Sequence, residues 1–142
     1  SEFIIGAAAG GILDAMPEIV ESAASTGSWP VSAPIYNGSV RFDDFKVAAD
    51  SLFFQTMGIE VLSGDPVREL QQKDVIFLSK DLADKMFGGE NPIGKIISFN
   101  KEIELTVKGT YAALPENCTM RPKAVISLWG QLERIYPVEA GY

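Results

Sequence analysis

Residues 74–108 read DVIFLSKDLADKMFGGENPIGKIISFNKEIELTVK, and this stretch decides the fold. Val75, Ile76, Phe77 and Leu78 are four apolar residues in a row, the pattern of a strand buried on both faces. Ser79 follows and can cap a helix, its hydroxyl accepting from a backbone N–H of the first turn. The predicted helix covers residues 80–87. Leu82, Ala83, Met86 and Phe87 share its apolar face, and Phe87 is predicted core; Lys80, Asp81, Asp84 and Lys85 share the polar face. Asp81 in the first turn and Lys85 in the last complement the helix dipole, and their i,i+4 order suits pairing. Gly88 ends the helix, because a left-handed C′ position costs glycine nothing. Asn91-Pro92-Ile93-Gly94 fits a type I turn with Asn91 first. Two strands follow. In the second, Ile103, Leu105 and Val107 alternate with Glu102, Glu104, Thr106 and Lys108, so one face is buried and one is wet. Asn100-Lys101 is the reversal between them, although it lacks the glycine of the strongest hairpin signal.

Within this stretch, Gly89-Glu90-Asn91-Pro92-Ile93-Gly94-Lys95 has the spacing of a phosphate loop, G-x-x-x-x-G-K. That loop works only after a strand and before a helix, where backbone N–H groups and the helix dipole converge on phosphate. Here a helix precedes and strands follow. Ile96 stands where a Ser or Thr must ligate magnesium, and Pro92 removes one N–H from the cradle. A helix cap followed by a tight turn is the better reading.

The chain has 142 residues, enough for one domain with a core that needs no metal or disulfide. Hydrophobic residues make up 46% and charged residues 22%, within the globular range. A formal charge of −7 argues against a nucleic-acid surface and against direct adhesion to an anionic membrane. There is no histidine, which excludes histidine metal sites, triads and proton shuttles. Cys118 is alone, so no intrachain disulfide forms. The longest apolar run, residues 3–13, is about half of what crosses a bilayer, and no basic residue precedes it as in a signal peptide. Ser1-Glu2-Phe3 reads as a cloning remnant.

Outward from the central stretch, residues 7–16 read as a helix despite Gly10 and Gly11, stopped by Pro17, and residues 18–25 as a strand. Residues 26–34 hold Gly27, Ser28, Pro30, Ser32 and Pro34 and read as a loop. Trp29 sits in it, as a lid on the local core or as a contact platform. Asn37-Gly38 is a hairpin signal joining a strand that ends at Tyr36 to one over residues 40–49. Asp43 and Asp44 lack the calcium-loop pattern and read as solvated charges. Asp50 or Ser51 caps a short helix over residues 52–57, ended by Gly58. Residues 45–58 thus repeat the grammar of residues 75–88: strand, cap, helix, glycine. Gly64-Asp65-Pro66 is a turn, and residues 68–73 are a polar link. Residues 114–117 break the strand that follows Lys108. Asn37-Gly38-Ser39 and Asn117-Cys118-Thr119 match a glycosylation tripeptide that is common by chance. Residues 124–128 form a last short strand, and residues 129–142 read as the start of a helix in a chain cut from something longer.

Over residues 52–128 the sequence resembles the extracytoplasmic core domain of MacB/FtsX-like ABC transporter permeases. The matching blocks are Ala49-Asp50, Phe53-Phe54, Met57-Gly58-Ile59, Leu62-Ser63-Gly64-Asp65-Pro66, Val75-Ile76-Phe77-Leu78-Ser79, Ala83-Asp84-Lys85-Met86-Phe87-Gly88, Glu90-Asn91-Pro92-Ile93-Gly94-Lys95, Leu105-Thr106-Val107-Lys108-Gly109 and Leu114-Pro115-Glu116-Asn117. Leu13-Asp14-Ala15-Met16-Pro17-Glu18-Ile19-Val20 resembles the family's preceding helix and strand. The resemblance implies an α+β, porter-like module. Its sheet is mixed or antiparallel, with two strand–helix units packed on one face. It also implies a place between the first two membrane helices, outside the cytoplasmic membrane on the periplasmic side. Residues 1–142 are then a single extracytoplasmic domain whose second lobe is missing or cut after about residue 128. Ser79, Phe87, Gly88, Asn91, Pro92, Gly94 and Lys95 are structural motif residues, and no catalytic residue, metal ligand or cofactor is implied.

The expected function is a non-catalytic permease domain that contacts substrate or a periplasmic partner and couples to membrane helices. The expected partners are the rest of the permease, a separate or fused ABC ATPase, and a periplasmic adaptor or lipoprotein, in a transporter that is dimeric although the fragment alone is a monomer. Trp29, Tyr36, Asn117, Met120 and Arg121 are the candidate contact residues, on loops that a rigid sheet can present. The competing class is a small soluble enzyme or a phosphate-loop nucleotide-binding domain. The chain has no G-x-S-x-G and no histidine. Its paired carboxylates, Asp81/Asp84 and Glu102/Glu104, fall on predicted wet faces.

Overall fold

The computed structural model describes residues 28–114 and 121–129. The elements in order are β1 (Ser28–Val31), β2 (Ile35–Asn37), β3 (Val40–Phe42), β4 (Lys46–Ala49), α1 (Phe53–Met57), β5 (Val61–Ser63), α2 (Pro66–Glu69), β6 (Val75–Ser79), α3 (Lys80–Phe87), β7 (Ile96–Phe99), β8 (Ile103–Tyr111) and β9 (Ala124–Ser127). The helix and strand expected over residues 7–25, and all but Trp129 of the helix expected over residues 129–142, lie outside the described residues.

The strands form one mixed sheet in the order β1-β4-β9-β6-β8-β7-β2-β3, with β5 added to β8. The pairs β4–β9 and β6–β8 are parallel and the rest antiparallel. The sheet must curl. Residues 43–45 join β3, at one edge, to β4, near the other edge, six steps away in the order. At about 4.8 Å per step a flat sheet would separate them by about 29 Å. A linker of that length reaches only about 14 Å. The two ends of the sheet therefore approach each other around a concave face.

Both faces are packed. On the concave face Val31 of β1, Ile35 of β2, Phe42 of β3, Ile76 and Leu78 of β6, Ile97 of β7, Leu105 of β8 and Ile126 of β9 form one core with Leu82, Ala83 and Met86 of α3. On the other face Val47, Ala49, Val75, Phe77, Tyr111 and Val125 pack against Phe53 and Phe54 of α1. Phe54 is the hub there, its ring 5.0 Å from Tyr111 and 5.5 Å from Phe77. The two strand–helix units expected on one face are thus on opposite faces. The cause is in β6 itself: Val75 and Phe77 point one way and Ile76 and Leu78 the other, so each side needs its own cover.

The predicted central helix is found with its predicted cap. Ser79 Oγ accepts from the Leu82 N–H at 3.3 Å, and α3 ends at Gly88. Gly88 has the expected positive φ of 64°, but its ψ of −132° lies outside the left-handed helical region. Gly58, after α1, is the true left-handed cap, at φ 68° and ψ 32°. The expected Asp81–Lys85 pairing is replaced by longer-range partners. Lys85 reaches Asp44 at 3.2 Å, Asp81 reaches Lys123 at 2.6 Å, and within the helix Lys80 pairs with Asp84 at 2.9 Å.

Three turns differ from expectation by a residue or more. The turn after α3 is shifted by one: the Lys95 N–H donates to Pro92 O, and Gly94 takes φ 90°, the third-position glycine of a type II turn. The Gly94 N–H is then spent on Val107 O of the sheet. In the first hairpin the loop is Gly38-Ser39, with Asn37 still in β2 opposite Val40 and only Gly38 at positive φ. Residues 40–49 are two strands on distant parts of the sheet. Asn100 and Lys101 form the predicted reversal, both at positive φ, with the Glu102 N–H bonded to Phe99 O as in a type I′ turn.

The expected loop over residues 26–34 contains β1. Pro30 is tolerated there because β1 is the edge strand among the described residues, paired with β4. β5 and α2 were not expected; Asp65 caps α2 through the Arg68 N–H, and Pro66 takes the first helical position. Gly109 is required for close approach. A Cβ there would collide with the Phe77 ring and Ser63 O, at the point where the β6–β8 register shifts.

Candidate functional site

A cavity of about 310 Å³ opens at one end of the sheet. Ser79 and Asp81 of the α3 N-terminus, Ala113 and Leu114 beyond β8, and Arg121, Pro122 and Lys123 ahead of β9 line it. Hydrogen bonds hold Pro122 and Lys123 firmly. Lys123 O accepts from the Ser79 N–H at 2.8 Å, the Lys123 N–H donates to Phe45 O at 2.7 Å, and the buried Tyr111 hydroxyl donates to Pro122 O at 2.7 Å. Burial of Tyr111, reinforced by the Asp81 charge, pushes its phenol well above the ordinary range, so it remains a donor.

Asp81 is the polar centre of the cavity. One carboxylate oxygen accepts from Ser79 Oγ at 2.7 Å and the other from Lys123 Nζ at 2.6 Å. Partial burial favours the neutral acid, but the bonds from Lys123 and Ser79 outweigh it, and the pKa falls below the ordinary value. Arg121 is exposed at the rim, and no ion pair to it is found among the described residues.

At the opposite end of the sheet, Ser28, Ala49 and Ser127 are aligned across β1, β4 and β9. The start of β1 and the end of β9 therefore lie at the same end. The cavity, at the start of β9 and the end of β6, lies at the far end.

The expected contact residues do not converge. Arg121 lines the cavity. Trp29 is half-buried on β1 and packs against the concave core. Tyr36 is half-buried on β2, with the Lys101 ammonium 5.0 Å from its ring. Asn117 and Met120 lie outside the described residues. Of the motif residues, Ser79 caps α3 and lines the cavity. Phe87 is only half-buried at the margin of the core, with Lys95 Nζ 5.9 Å from its ring. Asn91 Oδ1 accepts from the Ile93 N–H at 3.1 Å, and Lys95 pairs with Glu90 at 2.8 Å. With the Gly94 amide turned to the sheet and Lys95 engaged, residues 89–95 present no phosphate cradle. The Asp81–Lys123 pair was not legible in the sequence: its members are 42 residues apart, and Asp81 reads as one more charge on a wet helix face.

Among the described residues no cluster of metal-ligating side chains occurs, and no helix is long and apolar enough to cross a membrane. A domain assigned to a permease protein of Porphyromonas gingivalis superposes with a TM-score of 0.60 at 19% identity, over 78% of this chain and 50% of that one. The periplasmic region of MacB from Actinobacillus actinomycetemcomitans gives 0.51 at 19% identity, over 69% of this chain and 52% of that one. The extracellular domain of the noncanonic ABC-type transporter YknZ from Gram-positive bacteria gives 0.57 at 16% identity, over 86% of this chain and 66% of that one. At these identities the likeness is one of fold, and the chain spans about half the length of the first two. No curated protein sequence matches the chain. The model of the MacB-like periplasmic core domain matches residues 5–139, nearly the whole sequence, and with the curled mixed sheet on the page the conclusion is plain: the chain belongs to the MacB-like periplasmic core domain family.

Proposed function

We propose that this domain is the non-catalytic extracytoplasmic part of an ABC transporter permease, and that it passes contact with a substrate or periplasmic partner to the membrane helices. The observation that supports the reading is that the start of β1 and the end of β9 lie at one end of the sheet, Ser28 and Ser127 being aligned across β4, as suits a domain inserted between two membrane helices. The end with the cavity then faces away from the membrane, where a partner arrives. A rigid sheet suits the task, because packed layers transmit displacement with little compression.

The partners are the rest of the permease, an ABC ATPase on the cytoplasmic side, fused or separate, and a periplasmic adaptor or lipoprotein. The assembled transporter is a dimer. In this reading the second lobe is missing or cut after about residue 128. Arg121 and residues 115–120 form the proposed contact; Trp29 serves the core, and Tyr36, level with Glu104 at the start of β8, lies away from this end.

The test is transport by the full-length permease with Arg121→Glu, or with residues 116–121 replaced by a Gly/Ser linker. Transport should fall while the protein still reaches the membrane and folds. Unchanged transport in both variants would remove this end of the domain as the contact.

A further inference from the structure

We propose that the cavity between α3 and β9 binds a carboxylate carried beside a small apolar side chain, as at the C-terminus of an extended peptide.

Among the described residues the charges at the cavity do not cancel. Lys123 is neutralised by Asp81, and both Asp81 oxygens are already occupied, one by Lys123 and one by Ser79. Arg121 is the cation left over, since no ion pair to it is found among the described residues. Its guanidinium is a planar fork that fits a carboxylate through two parallel N–H···O bonds. Ala113, Leu114 and Pro122 supply an apolar wall next to it. At about 310 Å³ the cavity lies at the small end of the range for ligand pockets, about 300–1,000 Å³, so it suits one end of a chain. Capture of a chain-terminal carboxylate is an established mode of peptide recognition. The net charge of −7 does not prevent it, because exposed charges are screened beyond about 8 Å at physiological salt.

The walls are built before any ligand arrives. Three hydrogen bonds hold Pro122 and Lys123 against Tyr111, Ser79 and Phe45. Binding then has the exposed Arg121 side chain to order, and little of Pro122 and Lys123. The cavity also needs no membrane helices, so ligand binding can be tested apart from transport.

The experiment is titration of the 142-residue chain, followed by amide NMR, with N-acetyl-Ala-Ala-Leu, its C-terminal amide, and free leucine. The free acid should shift the resonances of Ser79, Asp81 and Leu114, and the amide should bind at least tenfold more weakly. Arg121→Gln, at an exposed position that leaves the fold intact, should weaken the free acid about tenfold. Asp81→Asn should tighten it, because it releases the Lys123 ammonium. Free leucine binding as tightly as the peptide supports the site and makes a free amino acid its source; weaker leucine makes the source a peptide end. Equal binding of acid and amide, binding indifferent to Arg121→Gln, or no shift at millimolar peptide overturns the proposal.

Discussion

Lys46 is the least expected residue of the structure. It is almost completely buried at the start of β4, and its ammonium donates to Asp44 O at 3.4 Å. Burial lowers its pKa to about 8, against the raising effect of Asp43 and Asp44. Below about pH 8 the side chain is charged folded and unfolded, and folding carries the full desolvation cost. Between about 8 and 10.5 only the unfolded chain keeps the proton, so stability should rise with pH over that window. Lys46→Met should remove the rise and stabilise the domain at pH 7 by roughly 1–3 kcal/mol. Denaturant melts at pH 7 and pH 10 measure both effects. A loss of stability at pH 7 would show that the ammonium is held by more than its carbonyl partner. Gly88 makes a second case at this scale. Its positive φ follows from its place after the helix, but its ψ of −132° does not. In that region asparagine has no advantage, so Gly88→Asn and Gly88→Val should each cost about 1–3 kcal/mol. A neutral Gly88→Asn in a thermal melt would place the residue in the left-handed helical region instead.

At the scale of elements, strongly patterned segments were legible and pairings were not. The run from Val75 to Leu78, the capping Ser79 and the amphipathic face of α3 follow from residue types at fixed spacing. β1 was hidden by Ser28 and Pro30 and by the neighbouring Gly27, Ser32 and Pro34, which read as loop until the edge position is known. β5 was hidden by its three-residue length, and α2 by its single turn. The faces of the two helices were obscured because α1 and α3 share a local grammar while their strands, β4 and β6, run in opposite directions on either side of β9. The margins of the elements also weigh differently from their centres. Phe77→Ala should cost about 3–5 kcal/mol, the usual range for a buried aromatic, and half-buried Phe87→Ala only about 1–2. Equal losses in urea melts would mean that α3 buries Phe87 as deeply as β6 buries Phe77. In the β7–β8 reversal, Lys101→Gly relieves a positive φ of 62° but loses the ammonium over Tyr36. The relief is worth about 1–2 kcal/mol and the contact about 0.5–1, so a net gain of roughly 0.5 kcal/mol is expected.

For the whole molecule, the curl of the sheet is the organising fact. It brings β1 and β3 to a common concave core, places α3 inside and α1 outside, and leaves two distinct ends. One end holds the start of β1 and the end of β9, and the other holds the cavity. The family and the α+β class were legible in the order of short blocks. The cavity was not, because it joins Asp81 in the first turn of a helix to a strand approach 42 residues away. The central claim is that this domain stands outside the cytoplasmic membrane as part of a permease. It is tested most directly in the full-length protein, in spheroplasts, with Cys118→Ser and a new cysteine at exposed Ser39 on the Gly38-Ser39 turn. The account predicts that a membrane-impermeant maleimide labels Ser39→Cys in intact spheroplasts to the same extent as after lysis. Labelling only after lysis would contradict it.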